Sequence, residues 1–371
     1  MIVFDQVSKT YPDGTVALGN VSFEVPNGKI TVLVGPSGCG KTTSMRMINR
    51  LIDPTSGTIT IDGEDTSTID KVELRRKIGY VIQNAGLFPH RSVVDNVAAL
   101  PRLLGGKKKQ GRERAMELLD LVGLDESLAS KYPWQLSGGQ QQRVGVARAL
   151  ATDPPFLLMD EPFSAVDPIV RAQLQQEFLR LQETIGKTIV LVTHDVDEAL
   201  ILGDQIAVLR QGGHLAQVAS PEGLLRAPAD EFVANFVGSS RGYRSLGFTH
   251  ADAQTHITQT PSARLGSPAA TVESREDGWL IAVDDQQRPL GWVQRENLGS
   301  ELKDTDINHA GSFASVTAPL RDFLDAALSS PNGDGIITDA DGRLLGTVTT
   351  DDVVASIQRA KGAPVTPEAT R

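Results

Sequence analysis

The clearest chemistry in the sequence lies in a glycine-rich stretch between an apolar run and a helix-like segment. It follows the apolar residues 30–34, matches the pattern G-x-x-x-x-G-K-[ST], and consists of Gly35, Pro36, Ser37, Gly38, Cys39, Gly40, Lys41, Thr42 and Thr43. In this pattern the glycines let successive backbone N–H groups point inward, and the following helix N-terminus adds partial positive charge. Lys41 would reach the β- and γ-phosphates of a nucleotide, and the Thr42 hydroxyl would hold Mg²⁺. This stretch, the phosphate loop, predicts phosphate binding rather than a purely structural glycine turn.

Two adjacent carboxylates end another apolar run. Asp160 and Glu161 follow residues 156–159, which is the form of a Walker B strand. Asp160 would hold Mg²⁺, and Glu161 would orient or deprotonate a water molecule. Adjacent acids after a strand also occur as solvated turns, but their combination with a phosphate loop favours a functional site.

Polar side chains follow two further strand-like runs. Gln83 comes after the run 78–82, and His194 after the run 189–193. In α/β proteins ligands bind beyond the carboxyl ends of the parallel strands, so both side chains are candidates for the same site. A lone histidine is usually structural, but its place at the end of a core strand favours a position facing the ligand.

A second glycine-rich turn and one aromatic residue complete the candidates. The turn opens a helix-like run at 141–150, offers a second anion-binding geometry, and consists of Ser137, Gly138, Gly139 and Gln140. Tyr11 lies in a loop ahead of the phosphate loop, where it could also be a packing residue.

The elements around these residues must bring them to one edge of a sheet. Alternating runs at 2–7 and 16–25, with turn signals at 12–14 and 26–28, predict an antiparallel β start. Residues 112–130 carry helical apolar spacing, and 73–77 are typical of a short charged helix. The apolar stretch 86–90 predicts an exposed docking loop.

Length and composition limit the class of protein. A chain of 371 residues predicts two or three domains, and 40% hydrophobic with 22% charged residues are typical of an ordered globular protein. The net charge of −10 argues against general nucleic-acid binding, and the basic stretch 107–109 is interpreted as a solvated loop. No apolar run reaches the roughly 18 residues that span a bilayer, so we expect a cytosolic chain. The lone Cys39 fits a reducing compartment and is interpreted as a small filler rather than a nucleophile.

Taken together and in this order, these motifs resemble the nucleotide-binding subunit of an ATP-binding cassette (ABC) transporter. The resemblance covers residues 1 to about 240, and its specificity lies in the whole set of motifs. Residues 136–140 stand as the family signature, and their spacing to Asp160 and Glu161 also fits. It implies an α/β P-loop NTPase with a mixed-sheet core, an antiparallel β subdomain and a helical subdomain. It also implies an ATPase that uses ATP and Mg²⁺.

The resemblance assigns roles to the ATP-binding residues. Tyr11 matches the aromatic residue that stacks on adenine. The residues of the phosphate loop and of the signature turn 137–140 would bind the ATP phosphates. Asp167 ends the loop 164–167, which contacts the opposite subunit and has Val166 where leucine is more usual.

The resemblance also assigns catalytic and metal-binding roles. Gln83 matches the residue that couples the metal and the attacking water to the membrane partner, and His194 matches the γ-phosphate sensor. Both would also contact bound ATP. The catalytic set would be Lys41, Gln83, Glu161 and His194. The metal would be held by Thr42, Gln83 and Asp160.

The family further implies partners. Two subunits would face each other head to tail, so that each ATP lies between one chain's phosphate loop and the other chain's signature turn. This homodimer would bind transmembrane permease subunits as a peripheral subunit at the cytoplasmic face of the cell membrane. Through the permease it would serve an extracytoplasmic solute-binding protein. No nucleic-acid partner is expected.

A finer resemblance is to the ATPase subunits of osmoprotectant importers, which serve glycine betaine, carnitine, choline or proline. It rests on the stretches 47–52, 79–83, 86–90 and 167–169 and implies import of a small quaternary amine. An importer of another small amine or amino acid, an exporter, and a nucleotide-sensing module without turnover stay open. A cassette ATPase acting on ribosomes or DNA is disfavoured by the single cassette, the lack of heptads and the acidic charge.

The second half of the sequence, 241–371, changes in pattern and predicts a smaller α+β domain. An internal repeat aligns residue 279 with residue 334, an offset of 55 residues, and each copy reads as strand, turn, strand and helix start. The copies, about 245–300 and 310–360, resemble a tandem pair of CBS modules followed by a short polar tail. The second copy keeps Thr349 and Asp352 as the T-x-x-D ribose pair, whereas the first has Gln294 and Asn297. Regulation by an adenine nucleotide or by ionic strength, or a purely structural dimerisation role, are the alternatives.

Overall fold

The computed structural model describes residues 1–83, 85–164, 166–252 and 255–362. The chain divides into two compact units, Met1–Gly238 and Ser239–Arg371. The predicted polar tail after residue 362 and Ala165 of the loop 164–167 lie outside the described residues.

Strands form two sheets in the first unit. They are β1 (Ile2–Thr10), β2 (Val16–Val25), β3 (Ile30–Val34), β4 (Ser56–Ile61), β5 (Glu64–Asp65), β6 (Ile78–Val81), β7 (Phe156–Asp160), β8 (Thr188–Thr193), β9 (Gln205–Arg210) and β10 (His214–Ala219). The antiparallel sheet has the order β2-β1-β4-β5. The core sheet has the order β10-β9-β3-β8-β7-β6, and all its pairs are parallel except β9 with β10. The predicted mixed core sheet and antiparallel subdomain are confirmed.

Helices pack around these sheets and form a separate helical part between β6 and β7. They are α1 (Lys41–Ile48), α2 (Lys71–Arg76), α3 (Val93–Val97), α4 (Ala99–Leu103), α5 (Lys108–Leu121), α6 (Gly138–Leu150), α7 (Pro168–Ile185), α8 (Val196–Leu202), α9 (Pro221–Arg226) and α10 (Glu231–Val237). Within the residues described, no helix combines the length and the hydrophobicity needed to cross a membrane.

Two sequence predictions about the helical part need correction. The helix predicted over 112–130 ends at Leu121, because Gly123 takes the left-handed conformation with φ 69°. Lys108 and Lys109, predicted in a loop, are exposed but form the first turn of α5. Lys107 precedes the helix in an extended conformation.

The core sheet explains why the site residues meet. Every residue of β3, β7 and β8 is buried, as expected for parallel strands that are covered on both faces. Because β3, β6, β7 and β8 run in the same direction, their carboxyl ends lie along one edge of the sheet. The phosphate loop, Gln83, Glu161 and His194 follow these four strands directly.

The second unit contains two three-stranded sheets with the same pairing pattern. Its elements are α11 (Arg241–Ser245), β11 (Ser262–Arg264), β12 (Trp279–Val283), β13 (Pro289–Gln294), β14 (Phe313–Ser315), α12 (Leu320–Ser329), β15 (Asp334–Thr338), β16 (Leu344–Thr349) and α13 (Thr350–Gly362). In each sheet the first pair of strands is parallel and the second antiparallel. The repeat extends to the backbone, since Gly291 and Gly346 both have φ 153°.

The two copies differ in their helices. After β16 the chain continues into α13, whereas after β13 the helix predicted from Glu296 is only a 3₁₀ turn, Arg295–Asn297. Gly299 and Ser300 follow this turn, and the first sheet packs instead against the apolar side chains of Val272, Leu302 and Ile307. The copies are joined by a shared apolar cluster and by an ion pair between Arg275 and the buried Asp334.

Candidate nucleotide-binding and catalytic site

The phosphate loop is held open by left-handed glycines. Gly38 has φ 78°, and a Cβ there would meet nothing within 4 Å. Gly40 has φ 95°, and a Cβ there would lie 2.1 Å from the carbonyl oxygen of Ala17. One glycine therefore leaves space above the loop, and the other allows close packing of the loop on β2.

Lys41 is buried at the centre of this loop. Its Nζ donates hydrogen bonds to the carbonyl oxygens of Gly35, at 2.8 Å, and of Pro36, at 3.0 Å. The loop thus encircles an ammonium group at the start of α1, and the helix N-terminus adds positive potential. Cys39 is fully buried beneath the loop, and burial raises the pKa of its thiol, so it is a packing residue as expected.

Thr42 and Asp160 bring two oxygen atoms together beside the phosphate loop. The Thr42 hydroxyl donates to Asp160 Oδ1 at 3.1 Å. Burial, and to a lesser extent the adjacent Glu161 carboxylate, raise the pKa of Asp160. In the described part of the chain, no cluster of three or more His, Cys, Asp or Glu side chains could hold a metal. The pair of oxygens fits Mg²⁺, which usually binds one or two protein oxygens and completes its shell with water and substrate phosphates.

The carboxylate of Glu161 lies between the two polar side chains predicted from strand ends. Gln83 Nε2 donates to Glu161 Oε2 at 3.1 Å, and His194 Nδ1 lies 3.1 Å from Glu161 Oε1. Glu161 has φ 45°, a left-handed conformation that costs a non-glycine residue free energy and is common at functional sites. A fixed carboxylate of this kind can orient a water molecule and accept its proton.

Tyr11 lies at the start of the turn that joins β1 and β2. The turn is closed by hydrogen bonds between the backbone groups of Tyr11 and those of Thr15 and Gly14. The phenol ring is partly exposed, and the ammonium of Lys9 lies 5.6 Å from its centroid. A partly exposed aromatic ring at this place can stack on a base.

The signature turn 137–140 forms the start of α6. Ser137 and Gln140 form a reciprocal capping box, in which each side chain accepts a hydrogen bond from the other residue's backbone N–H. Ser137 and Gly138 are exposed, Gln140 is partly exposed, and Gly139 is buried against Leu174 and Val170. Among the described contacts, none of the hydrogen bonds of these residues reaches the phosphate loop. The exposed Ser137 and Gly138 place this helix N-terminus at the surface of the chain.

Asp167 caps the N-terminus of α7 through a hydrogen bond to the backbone N–H of Ile169, at 2.9 Å. In the same loop the Ser164 hydroxyl donates to the carbonyl oxygen of Glu161 at 2.9 Å. Sequence reasoning missed Ser164 as a support of Glu161, although its position three residues later is typical of a side chain that closes a turn.

The apolar loop 86–90 borders a cleft of about 900 Å³ between the core sheet and the helical part. Phe88 is 41% exposed there and lies under the guanidinium groups of Arg91 and Arg148. Arg148, from α6, also donates to the carbonyl oxygens of Ala85, at 2.7 Å, and of Gly86, at 2.8 Å. Arg148 was not identified from the sequence. It joins the loop after Gln83 to the helix that begins at the signature turn.

The fold and this site define a P-loop NTPase, with a phosphate loop after β3 and two adjacent carboxylates at the end of β7. The family profile described as "ABC transporter" matches residues 18–164. The chain is 46% identical over 350 residues to the osmoprotectant import ATP-binding protein OsmV of Salmonella typhimurium, covering 90% of this chain and 89% of the relative. It is 43% identical over 368 residues to the choline transport ATP-binding protein OpuBA of Bacillus subtilis, covering 95% of each.

Solved structures agree with these relatives. A dimeric post-hydrolysis state of the ATP-binding cassette MJ0796, bound to ADP and phosphate, matches with a TM-score of 0.54 and 38% identity, covering 60% of this chain and 99% of that one. The chain belongs to the ABC transporter family, as an ATP-binding subunit with the ATPase fold. The predicted family, the fold class of the cassette and the ATPase activity are confirmed.

Proposed function

We propose that this chain hydrolyses ATP to energise import of a small quaternary-amine osmoprotectant. Support for the solute class comes from relatives that are named for osmoprotectant import and choline transport and that match 90% and 95% of this chain. These matches extend beyond the cassette into the second unit, so the whole arrangement is shared rather than the ATPase alone.

The observation that carries the hydrolytic role is the position of Glu161 between Gln83 and His194. Glu161 orients water and accepts its proton as the water oxygen bonds to the γ-phosphorus and the bond to the ADP oxygen breaks. Lys41 stabilises the negative charge that develops on the phosphate oxygens, and His194 holds the carboxylate in place. Tyr11 stacks on the adenine base.

Thr42 and Asp160 would hold Mg²⁺, with Gln83 contributing its amide oxygen. The bound metal would supply positive charge next to the phosphate oxygens. The Gln83 side chain can then supply its oxygen to the metal and its nitrogen to Glu161. This dual role explains why a glutamine, with both a donor and an acceptor, stands at this position.

The active unit in this proposal is a dimer. The phosphate loop contacts nucleotide from one side. The exposed start of α6, where the capping box does not use the backbone N–H groups of Gly138 and Gly139, is suited to bind the γ-phosphate of ATP held by a second copy. Asp167 and the loop 164–167 contact that copy. The solved MJ0796 cassette is described as a dimer, which supports this arrangement.

Permease subunits bind at the cleft beside Phe88, on the cytoplasmic face of the membrane. A cleft of about 900 Å³ with an exposed aromatic ring and paired arginines is suited to hold a short helix from a membrane partner. Because the loop after Gln83 lines this cleft, movement of the partner reaches the catalytic glutamine directly. An extracytoplasmic solute-binding protein acts through the permease.

The catalytic assignment is tested by Glu161→Gln in the full chain. We expect the ATPase turnover number to fall by at least about 100-fold while ATP still binds, because the amide cannot accept a proton. Glu183→Gln, an exposed position in α7, is the matched control and should keep wild-type turnover. Wild-type turnover in Glu161→Gln would remove Glu161 from its catalytic role.

The solute is tested by uptake in proteoliposomes that contain the chain and its co-purified permease. Radiolabelled choline and glycine betaine should enter in an ATP-dependent manner, whereas an uncharged amino acid should not. Uptake of the amino acid alone would redirect the assignment to an amino-acid importer.

For the second unit we propose a tandem CBS domain that regulates the cassette through an adenine nucleotide. Thr349 and Asp352 form a closed hydrogen-bonded pair at the start of α13, with the Thr349 hydroxyl donating to Asp352 Oδ2 at 2.5 Å. The first copy has only a 3₁₀ turn at the matching place, so we assign the nucleotide to the second copy.

Truncation after Gly238 should abolish any dependence of transport on nucleotide or salt. Unchanged dependence would leave the unit with a structural role.

A further inference from the structure

Arg171, near the N-terminus of α7, contacts two loops of the candidate site at once. Its Nη2 donates to the carbonyl oxygen of Val166 at 3.1 Å, and its Nη1 lies 3.8 Å from Asp195 Oδ2. Val166 belongs to the loop 164–167, and Asp195 directly follows His194. A planar guanidinium can serve both partners from one position, which a lysine ammonium does less well.

The two carboxylate oxygens of Asp195 contact different elements. Oδ1 accepts hydrogen bonds from the backbone N–H groups of Asp197, at 2.8 Å, and Glu198, at 3.3 Å, and so caps α8. Oδ2 faces Arg171. The residue next to His194 is therefore fixed on one side to α8 and on the other to α7.

These contacts close a ring around the hydrolytic carboxylate. On one side, the backbone carbonyl oxygen of Glu161 accepts a hydrogen bond from the Ser164 hydroxyl. The backbone carbonyl oxygen of Val166, in the same loop, accepts a hydrogen bond from Arg171. On the other side His194 Nδ1 lies 3.1 Å from Glu161 Oε1. The Glu161 backbone N–H also donates to the carbonyl oxygen of Val192 in β8, so the sheet already joins the two sides once. The guanidinium of Arg171 adds a second connection, from the loop 164–167 to the residue after His194.

We infer that Arg171 is a positioning residue that sets the place of His194 against Glu161 according to the place of the loop 164–167. This inference rests on the proposed function, since it assumes that His194 acts in hydrolysis. In the proposed dimer the loop 164–167 contacts the second copy. Binding of that copy therefore changes the position of His194 through Arg171.

The cation at 171 is what ties Asp195 to α7. A neutral residue at 171 removes the contact with Asp195 Oδ2 and leaves Asp195 attached to α8 through its Oδ1 cap. The start of α8 can then move relative to α7. Because His194 is joined to α8 through Asp195, it loses its place opposite Glu161.

The test is a double-mutant cycle in the full chain that compares Arg171→Ala, His194→Ala and the double variant by steady-state ATPase kinetics. We expect Arg171→Ala to lower kcat by about 10-fold or more, with the KM for ATP within about two-fold of wild type. The double variant should have the kcat of His194→Ala, because Arg171 acts through that residue. Arg180→Ala, an exposed arginine of the same helix, should leave kcat unchanged.

Arg171→Lys keeps the charge and most of the packing and guards against a folding defect in Arg171→Ala. It should lose kcat in the same direction by a smaller factor, and its loss should also vanish in the His194→Ala background. If the kcat losses of Arg171→Ala and His194→Ala multiply in the double variant, the inference is wrong. It is also wrong if Arg171→Lys and Arg171→Ala both keep wild-type kcat. In either case the proposed catalytic function of the site still stands. Wild-type kcat in His194→Ala would overturn both the inference and the catalytic assignment of His194.

Discussion

Gly40 is a glycine of the phosphate loop whose replacement should be costly for two separate reasons. An alanine there must hold φ near 95°, and its Cβ would lie 2.1 Å from the carbonyl oxygen of Ala17 and 3.1 Å from Leu18 Cδ1. The left-handed conformation costs an L-residue about 1–2 kcal/mol. Displacing a backbone carbonyl that cannot rotate away adds about 1–3 kcal/mol. We therefore expect Gly40→Ala to lower the free energy of unfolding by about 2–5 kcal/mol.

Gly63→Ala separates the two contributions. Gly63 has φ 82°, and a Cβ there would meet nothing within 4 Å, so this variant has only the conformational cost of about 1–2 kcal/mol. Urea unfolding of the full chain measures both, and the transition that shifts when an ATP analogue is added identifies the cassette. Equal losses in Gly40→Ala and Gly63→Ala would refute the contact with Ala17 as the cause.

Three further predictions follow from single side chains. Arg148→Ala should lower the free energy of unfolding by about 1.5–3 kcal/mol, because its hydrogen bonds to two carbonyl oxygens are lost. It should also lower the ratio of permease-stimulated to basal ATPase activity. An unchanged ratio would show that Arg148 takes no part in coupling the ATPase to the permease. Tyr11→Ala should raise the KM for ATP about 10-fold, and Tyr11→Phe should keep it, since the ring rather than the hydroxyl stacks on adenine. Burial raises the pKa of Glu198 in the folded chain, so its protonated form favours folding and this contribution is lost as pH rises through the folded-state pKa. Unfolding without nucleotide should therefore find Glu198→Gln more stable than wild type at pH 7, with the difference disappearing below the ordinary carboxyl pKa of about 4.3; a constant difference would contradict burial as the cause.

The sequence could predict the residues that meet at the edge of the core sheet because their positions depend on local pattern. A strand followed by a polar residue recurs three times, a fourth strand leads into the phosphate loop, and parallel strands bring their carboxyl ends together. This reasoning was sufficient for Gln83, Glu161 and His194, which lie within hydrogen-bonding distance in the structure. It also predicted the exposed loop around Phe88.

The side chains that support the site could not be predicted in the same way. Arg148 and Arg171 stand on helices, and their partners are backbone carbonyls of loops packed against those helices. Helical periodicity shows which face of a helix is apolar, but it does not tell which carbonyl a polar side chain reaches across a packed interface. Contacts of this kind depend on tertiary packing.

Element ends were also beyond the sequence pattern. The apolar spacing continues past Leu121 to Leu124, which is buried, but the left-handed Gly123 ends the helix between them. In the second unit the two copies share their strands, while the first copy lacks the amphipathic run that forms α13 in the second. A repeat that is recognised from its strands does not guarantee repeated helices.

The shared ATP site between two copies is tested most directly by ATP retention in chains that carry Glu161→Gln. Such chains should keep labelled ATP through gel filtration, and adding either Lys41→Ala or Ser137→Arg should abolish retention. An equal mixture of the two double variants should retain ATP again, because the intact phosphate loop of one chain meets the intact signature turn of the other. No retention in the mixture, or full retention by the Ser137→Arg chain alone, would contradict a site built from two chains.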